Sequence, residues 1–211
     1  MSLIENLLDL PYQIDLDRVQ QKPELLNELA RFDNVEILGN YTSLKIRPKN
    51  KVKKLPKKII AHQLSIIEQK IEDLEHINFE IEYGLELTAC GLTQIPLINF
   101  KNDYPHFLKF RSNSIKDLKH IPQNTKGLFL FNNKYPRIDW TNLPNTVDIL
   151  HIDQDQFKFL VEDLTKVNFT PISKIDLFIG DADSIVYSDK IKSLTELINS
   201  YQNYLKISGS K

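Results

Sequence analysis

Apolar and polar residues in the second half of this chain follow a recurring short rhythm. LELTAC (Leu85 to Cys90), LKFRSN (Leu108 to Asn113), LFLFNN (Leu128 to Asn133) and LHIDQD (Leu150 to Asp155) share one pattern: leucine, any residue, an apolar residue, any two, then Cys, Asn or Asp. Their leading leucines lie 23, 20 and 22 residues apart. In a strand, side chains two positions apart share a face, so each leucine and the apolar residue two places on point to one core. A period of this length marks a stacked repeat. No unit buries its apolar face alone, so neighbours stack, the strands run parallel and the ends need covers.

Prolines punctuate the units: LTQIP ends at Pro96, LKHIP at Pro122 and TNLP at Pro144, with NFTP at Pro171 as a looser member. The residues between a motif and the next proline, as in IKDLKHIP, supply the return leg. A fifth copy, ISKIDLFIGDADSI, admits two registers, with either Ile175/Leu177 or Leu177/Ile179 facing inward. The Cys, Asn or Asp at the sixth position is expected to hydrogen-bond backbone groups where the chain leaves the strand.

Residues 1–76 lack the pattern and read as an N-terminal α+β cap region, followed by repeats over 77–187 and a C-terminal capping helix and tail over 188–211. PELLNELARF, with Pro23 at the first helical position, predicts about three helical turns. VEILGNYTSLKI predicts a hairpin turning at Gly39-Asn40. Ile60, Leu64, Ile67, Ile71 and Leu74 recur at helical spacing and predict a helix from Pro56 to Glu75. INFEI, from Ile77 to Ile81, predicts an edge strand. Ser188 is the expected N-cap of a helix carrying the stripe Ile191, Leu194, Leu197, Ile198, Tyr201 and Leu205, with SGSK as a frayed end.

The repeating units resemble the leucine-rich repeat family, whose consensus is LxxLxLxxN or C with a variable return segment. The IPxNTxxL and LPNTxxxL stretches are also similar to the short bacterial subtype and to the FNIP repeat. Thr125 and Pro105 stand where the nine-residue consensus has its first leucine, which implies irregular coils. The resemblance implies an α/β leucine-rich-repeat solenoid with short parallel strands on a concave face, helical caps and a role in protein recognition. Bacterial ubiquitin-ligase effectors carry such repeats ahead of a catalytic-cysteine domain. The stretch after residue 187 is too short for one, so the likeness implies the recognition half alone.

Outward strand positions form columns on such a face. The middle residues of the LxL motifs are Glu86, Lys109, Phe129, His151 and Phe178, and the residues after the second apolar position are Thr88, Arg111, Phe131, Asp153 and Gly180. Aromatic residues and arginine dominate interface hot spots. Glu86, Lys109, Arg111, Phe129, Phe131, His151 and Asp153 are therefore the expected partner-binding residues. The alternative is that a cap folds across the two phenylalanines and buries them within the chain.

Composition narrows the function further. The 211 residues are 41% hydrophobic and 26% charged, as in folded domains, and the formal net charge of -1 gives no overall attraction to nucleic acid or anionic membrane. RPKNKVKKLPKK, residues 47 to 58, holds seven basic residues and no acidic one, yet lacks interleaved aromatics; nucleic-acid binding through Lys51, Lys53, Lys54, Lys57 and Lys58 is the weaker reading. Downstream carboxylates, from Glu68 to Glu86, would place charges against the dipole of the expected helix, so the two patches point to charged partners or to a solvated face. The one cysteine, Cys90, excludes internal disulfides, and the five histidines, His62, His76, His106, His120 and His151, lack metal-ligand spacing. No cofactor motif and no catalytic motif is present. MSLIENLLDLPYQIDLD lacks the basic start of a secretory leader, and no apolar run reaches the ~20 residues of a membrane span. The sequence therefore predicts a cytoplasmic, non-enzymatic recognition protein with no membrane partner, such as an immunity protein that binds and neutralises a toxin or effector, or a scaffold subunit.

Overall fold

A computed structural model describes residues 10–39, 43–104, 106–133, 137–180 and 184–209. In chain order the elements are β1 (Tyr12–Asp15), α1 (Leu16–Gln21), α2 (Leu25–Leu29), β2 (Asn34–Leu38), β3 (Ser43–Ile46), β4 (Lys58–Ile67), β5 (Asn78–Thr88), β6 (Leu97–Phe100), β7 (His106–Lys109), β8 (Thr125–Phe129), β9 (Ile149–Ile152), α3 (Gln154–Lys166), β10 (Ile175–Gly180), β11 (Ile185–Ile191) and α4 (Leu194–Ser208). The protein is α/β, with one large sheet of 11 strands and few helices among the described residues. Among the described residues every strand pairing is parallel except that of β10 with β11. No described helix is long and apolar enough to cross a membrane.

One row of leucines sets the register. Leu44, Leu64, Leu85, Leu108, Leu128, Leu150 and Leu177 are paired strand by strand from β3 to β10. The residues two places on, Ile46, Ile66, Leu87, Phe110, Leu130, Ile152 and Ile179, are all 0% exposed. The ambiguous last copy is thus resolved: Leu177 and Ile179 match Leu150 and Ile152, and Ile175 is buried beside them. Each such side chain contributes about 1.5–3 kcal/mol on burial, so the paired rows are the main stabilising feature of the sheet.

Strands end in a shared way. Glu68, Ala89, Ser112 and Asn132 take positive φ values of 52°, 53°, 55° and 63°. The left-handed turn swings the next residue, Gln69, Cys90, Asn113 or Asn133, into the core, where all four are buried. Asn113 donates to Leu87 O at 2.7 Å and accepts from Cys90 N at 3.0 Å, and Asn133 donates to Phe110 O at 2.7 Å and accepts from Ile115 N at 3.3 Å. Each bond ties one unit to its predecessor. The return legs also join, through Lys116 N to Thr93 O, Asp139 N to Lys116 O and a parallel bridge between Asp117 and Asp139.

In the fourth unit Asp155 was the expected turn residue, but it is exposed on α3. Gln156, 1% exposed, accepts from Ile138 N and donates to Asn133 O instead. The helix starts at once after β9, which moves the buried amide one position along. α3 itself escaped the pattern reading, although Phe157, Leu160 and Leu164 recur at helical spacing and are buried.

The N-terminal expectations need more correction. The expected helix over 56–75 is strand β4 followed by a 3-10 turn at Leu74–His76. Its residues LSIIEQ, Leu64 to Gln69, are a further copy of the motif, 21 residues before Leu85, and its isoleucines suit a strand. The expected hairpin is absent because β2 and β3 do not pair; both lie parallel to β4, β2 against Lys58–Ala61 and β3 against Gln63–Ile66. Its turn residue Asn40 lies outside the described residues. β6 and β7 flank β5 in the same end-to-end way, so β5 is an interior strand and no edge. Between β4 and β5, Glu82 and Tyr83 oppose the single residue His62, a bulge where both long strands bend.

The three-turn helix expected at PELLNELARF shrinks to the five residues of α2. At the far end Ser188 lies within β11, and Ser193 is the N-cap, accepting from Glu196 N. α4 continues through Ser208; the residues after Gly209, the leader-free reading of residues 1–9, and Pro105 lie outside the described residues.

Candidate functional site

The face of the sheet opposite the leucines carries one continuous row. From β3 to β11 the paired residues are Lys45, Ser65, Glu86, Lys109, Phe129, His151, Phe178 and Ser188. The expected outward column, Glu86, Lys109, Phe129, His151 and Phe178, is therefore brought together in register. Parallel pairing does this because equivalent strand positions sit side by side, about 4.8 Å apart.

Charge and aromaticity divide the row. The Glu86 carboxylate accepts from Arg111 Nη2 at 2.6 Å, Thr88 Oγ1 at 3.1 Å and Ser65 Oγ at 3.0 Å. Burial opposes its charged form, but the bonds from Arg111 and Ser65 and the nearby Arg111 and Lys109 charges outweigh that and hold the carboxyl below its ordinary value. Lys109 Nζ stands over the Phe129 ring, 5.7 Å from its centroid, and the Arg111 guanidinium stands over Phe131 at 5.1 Å. His151 contacts Phe131 at 4.4 Å, Phe129 at 6.4 Å and Phe178 at 6.2 Å between ring centroids.

Two expected members leave the surface. Phe131 is only 5% exposed, lying against Arg111 and His151, so it supports the face from below. Asp153 is also buried; its carboxylate accepts from Asn132 N at 2.8 Å and Asn133 N at 2.9 Å, where it receives the turn of the previous unit. Asp153 is the N-cap residue of α3, which begins beside it.

Phe107 was missed. It pairs with Gly127 on β8, and a Cβ on Gly127 would come within 2.3 Å of Phe107 Cδ1. The ring lies across the bare glycine and remains 40% exposed, extending the aromatic area beyond Phe129. A glycine inside a strand pattern, Gly127 between Lys126 and Leu128, was the available signal.

The basic stretch is an ordered loop. Val52 and Leu55 are buried, and Asn27 Oδ1 accepts from Lys53 N and Lys54 N. Lys54, Lys57 and Lys58 pair with Glu72, Asp33 and Glu80 at 3.2, 3.0 and 2.6 Å. The basic and acidic runs therefore meet each other within the chain. The helix whose dipole they were to oppose does not exist.

Cys90 is buried, with Sγ 3.4 Å from Ile66 O and Thr88 O, and burial pushes its thiol up to about 11. At pH 8 only about 0.1% is then thiolate, which makes it a poor nucleophile. Its reaction with a disulfide reagent at pH 8 is expected to be at least about 100-fold slower in the native protein than in urea. Equal rates would show the thiol to be open. Among the described residues, no group of three or more His, Cys, Asp or Glu side chains is placed to hold a metal ion.

Comparison with protein-family models, with curated proteins and with solved structures finds no match to this chain.

Proposed function

We propose that this chain is a leucine-rich-repeat solenoid that recognises another protein through the sheet face bearing Glu86, Lys109, Arg111, Phe129, His151 and Phe178. The solenoid reading is supported by the paired leucine rows, by the buried amides that link each unit to the one before, and by the bonded return legs. The single observation that carries the recognition reading is the in-register row itself, in which Lys109 adjoins the half-buried ring of Phe129, with Arg111 beside it over the buried Phe131. Aromatic and arginine side chains are the anchors from which interface hot spots are built. Such a protein acts by occupying its partner's surface, and the proposed biological form is an immunity or inhibitor protein that neutralises a toxin or effector.

The test compares wild type with a variant combining Arg111→Glu, Phe129→Ala and Phe131→Ala in affinity capture from an extract of the source cells. The captured protein is identified by mass spectrometry and its binding measured with purified components. Affinity is expected to fall at least ~100-fold in a variant whose circular dichroism is unchanged. A partner held equally by both proteins would exclude this face, and a captured protein whose activity is unaffected by binding would exclude the neutralising role.

A further inference from the structure

Resting on the recognition reading, we infer that the segment bound by this face is acidic, with an aliphatic or aromatic side chain next to its carboxylates. The charges on the face are unequal. Glu86 already receives Arg111 and two hydroxyls, whereas Lys109 and Lys45 have no carboxylate within 4 Å among the described residues. Asp176 and Lys190, farther along, offset each other at 3.6 Å. Counting Lys45, Lys109 and Arg111 against Glu86 and the buried Asp153, the described face carries an excess of one positive charge on a protein of net charge -1. Lys45 and Lys109 are three strands apart, about 14 Å, a span that a short peptide segment covers.

The ring faces point the same way. Aromatic π-faces attract cations, but Lys109 and Arg111 already occupy those of Phe129 and Phe131. What remains for a partner is ring edge, the exposed part of Phe107 and the ammonium of Lys109. A partner that covered Lys109 without supplying an anion would bury an unpaired charge, at a cost that rejects it. Apolar contact and counter-charge therefore lie within one side chain's reach of each other, and the segment that fits carries both.

A random peptide library displayed on phage, selected against the immobilised full-length protein, tests this. Enriched peptides are expected to place Asp or Glu within two residues of Leu, Ile, Phe, Tyr or Trp. Fluorescently labelled synthetic copies are expected to bind Lys109→Glu at least ~10-fold more weakly and to regain affinity for that variant when their acidic residues are changed to lysine. Peptides that depend on Phe129 but are neutral or basic, and bind Lys109→Glu as well as wild type, would overturn the acidic assignment alone. Peptides that bind the Arg111→Glu, Phe129→Ala, Phe131→Ala protein undiminished, or a library with no binder, would overturn the recognition face beneath it. A single-stranded 20-mer oligonucleotide binding with the same Lys109 dependence, and outcompeting the peptides, would move the acid from protein to nucleic acid and also overturn the inference.

Discussion

Replacing Asn113 with alanine is expected to destabilise the fold by about 3–5 kcal/mol, among the largest effects of any polar substitution in the chain. Its side chain makes four hydrogen bonds in a site only 6% exposed: Nδ2 donates to Leu87 O at 2.7 Å and Arg111 O at 3.2 Å, and Oδ1 accepts from Cys90 N at 3.0 Å and Leu92 N at 3.2 Å. Alanine leaves four backbone groups without that partner, and each unmet buried group costs about 1–3 kcal/mol before water or relaxation repairs part of the loss. The sum is a large fraction of the 5–15 kcal/mol typical of a whole domain. Asn113→Asp is expected to be no milder, because it sets a carboxylate against the Leu87 and Arg111 carbonyls in place of two donated bonds. Asn142→Ala, at an exposed turn, is the control and is expected to change stability by less than about 0.5 kcal/mol. Urea unfolding followed by the fluorescence of Trp140, the one tryptophan, reads all three. A loss below about 1 kcal/mol for Asn113→Ala would mean that the asparagine links do not hold the units together.

Trp140→Ala is the second large effect, at about 3–5 kcal/mol. Trp140 is 0% exposed, on the return leg between β8 and β9, and its backbone N–H donates to Asp163 Oδ2 on α3 at 3.3 Å. Truncation removes the largest fully buried side chain and leaves a cavity where the return leg meets the helix. Trp140→Phe is expected to cost far less, under about 1.5 kcal/mol, for a reason particular to this site. The indole Nε1 is buried without a hydrogen-bond partner among the described residues, so phenylalanine removes an unmet donor along with some volume. Thermal unfolding by circular dichroism is the measurement, since the fluorophore is lost. A midpoint drop of about 10 °C for alanine and only a few degrees for phenylalanine is expected. Equal drops would show that the indole N–H is satisfied in solution.

These two sites mark where the sequence was legible. Asn113 was readable because the repeat places an asparagine after each LxL pair, and the bonds it makes follow from that position. Trp140 was not, since nothing in WTNLP says which way the ring turns. The same limit explains the N-terminal errors. LSIIEQ carries the motif, but Ile60, Leu64, Ile67, Ile71 and Leu74 also fit a helical stripe, and periodicity alone does not choose between them. The choice falls to β5, whose backbone pairs with β4 over residues 58–67 and satisfies groups that a helix would have bonded internally.

The candidate face divides likewise. Glu86, Lys109, Phe129, His151 and Phe178 were placed correctly because alternation fixes the face of each residue and repetition fixes its neighbours. Phe131 and Asp153 were misplaced because exposure depends on what lies above a position: Arg111 and His151 over Phe131, and the turn at Asn132 and Asn133 over Asp153. Sequence by itself determined the inward leucines of the four clear repeats, Asn113 and Asn133 at their turns, and the outward row from Glu86 to Phe178, all of which follow from local geometry repeated along the chain. Only the tertiary structure decided that β2 and β3 run on in one direction, that Lys54 and Lys58 of the basic run meet Glu72 and Glu80 of the acidic one, and which aromatic rings remain open. Those outcomes rest on contacts between residues distant in sequence, where no local period reaches.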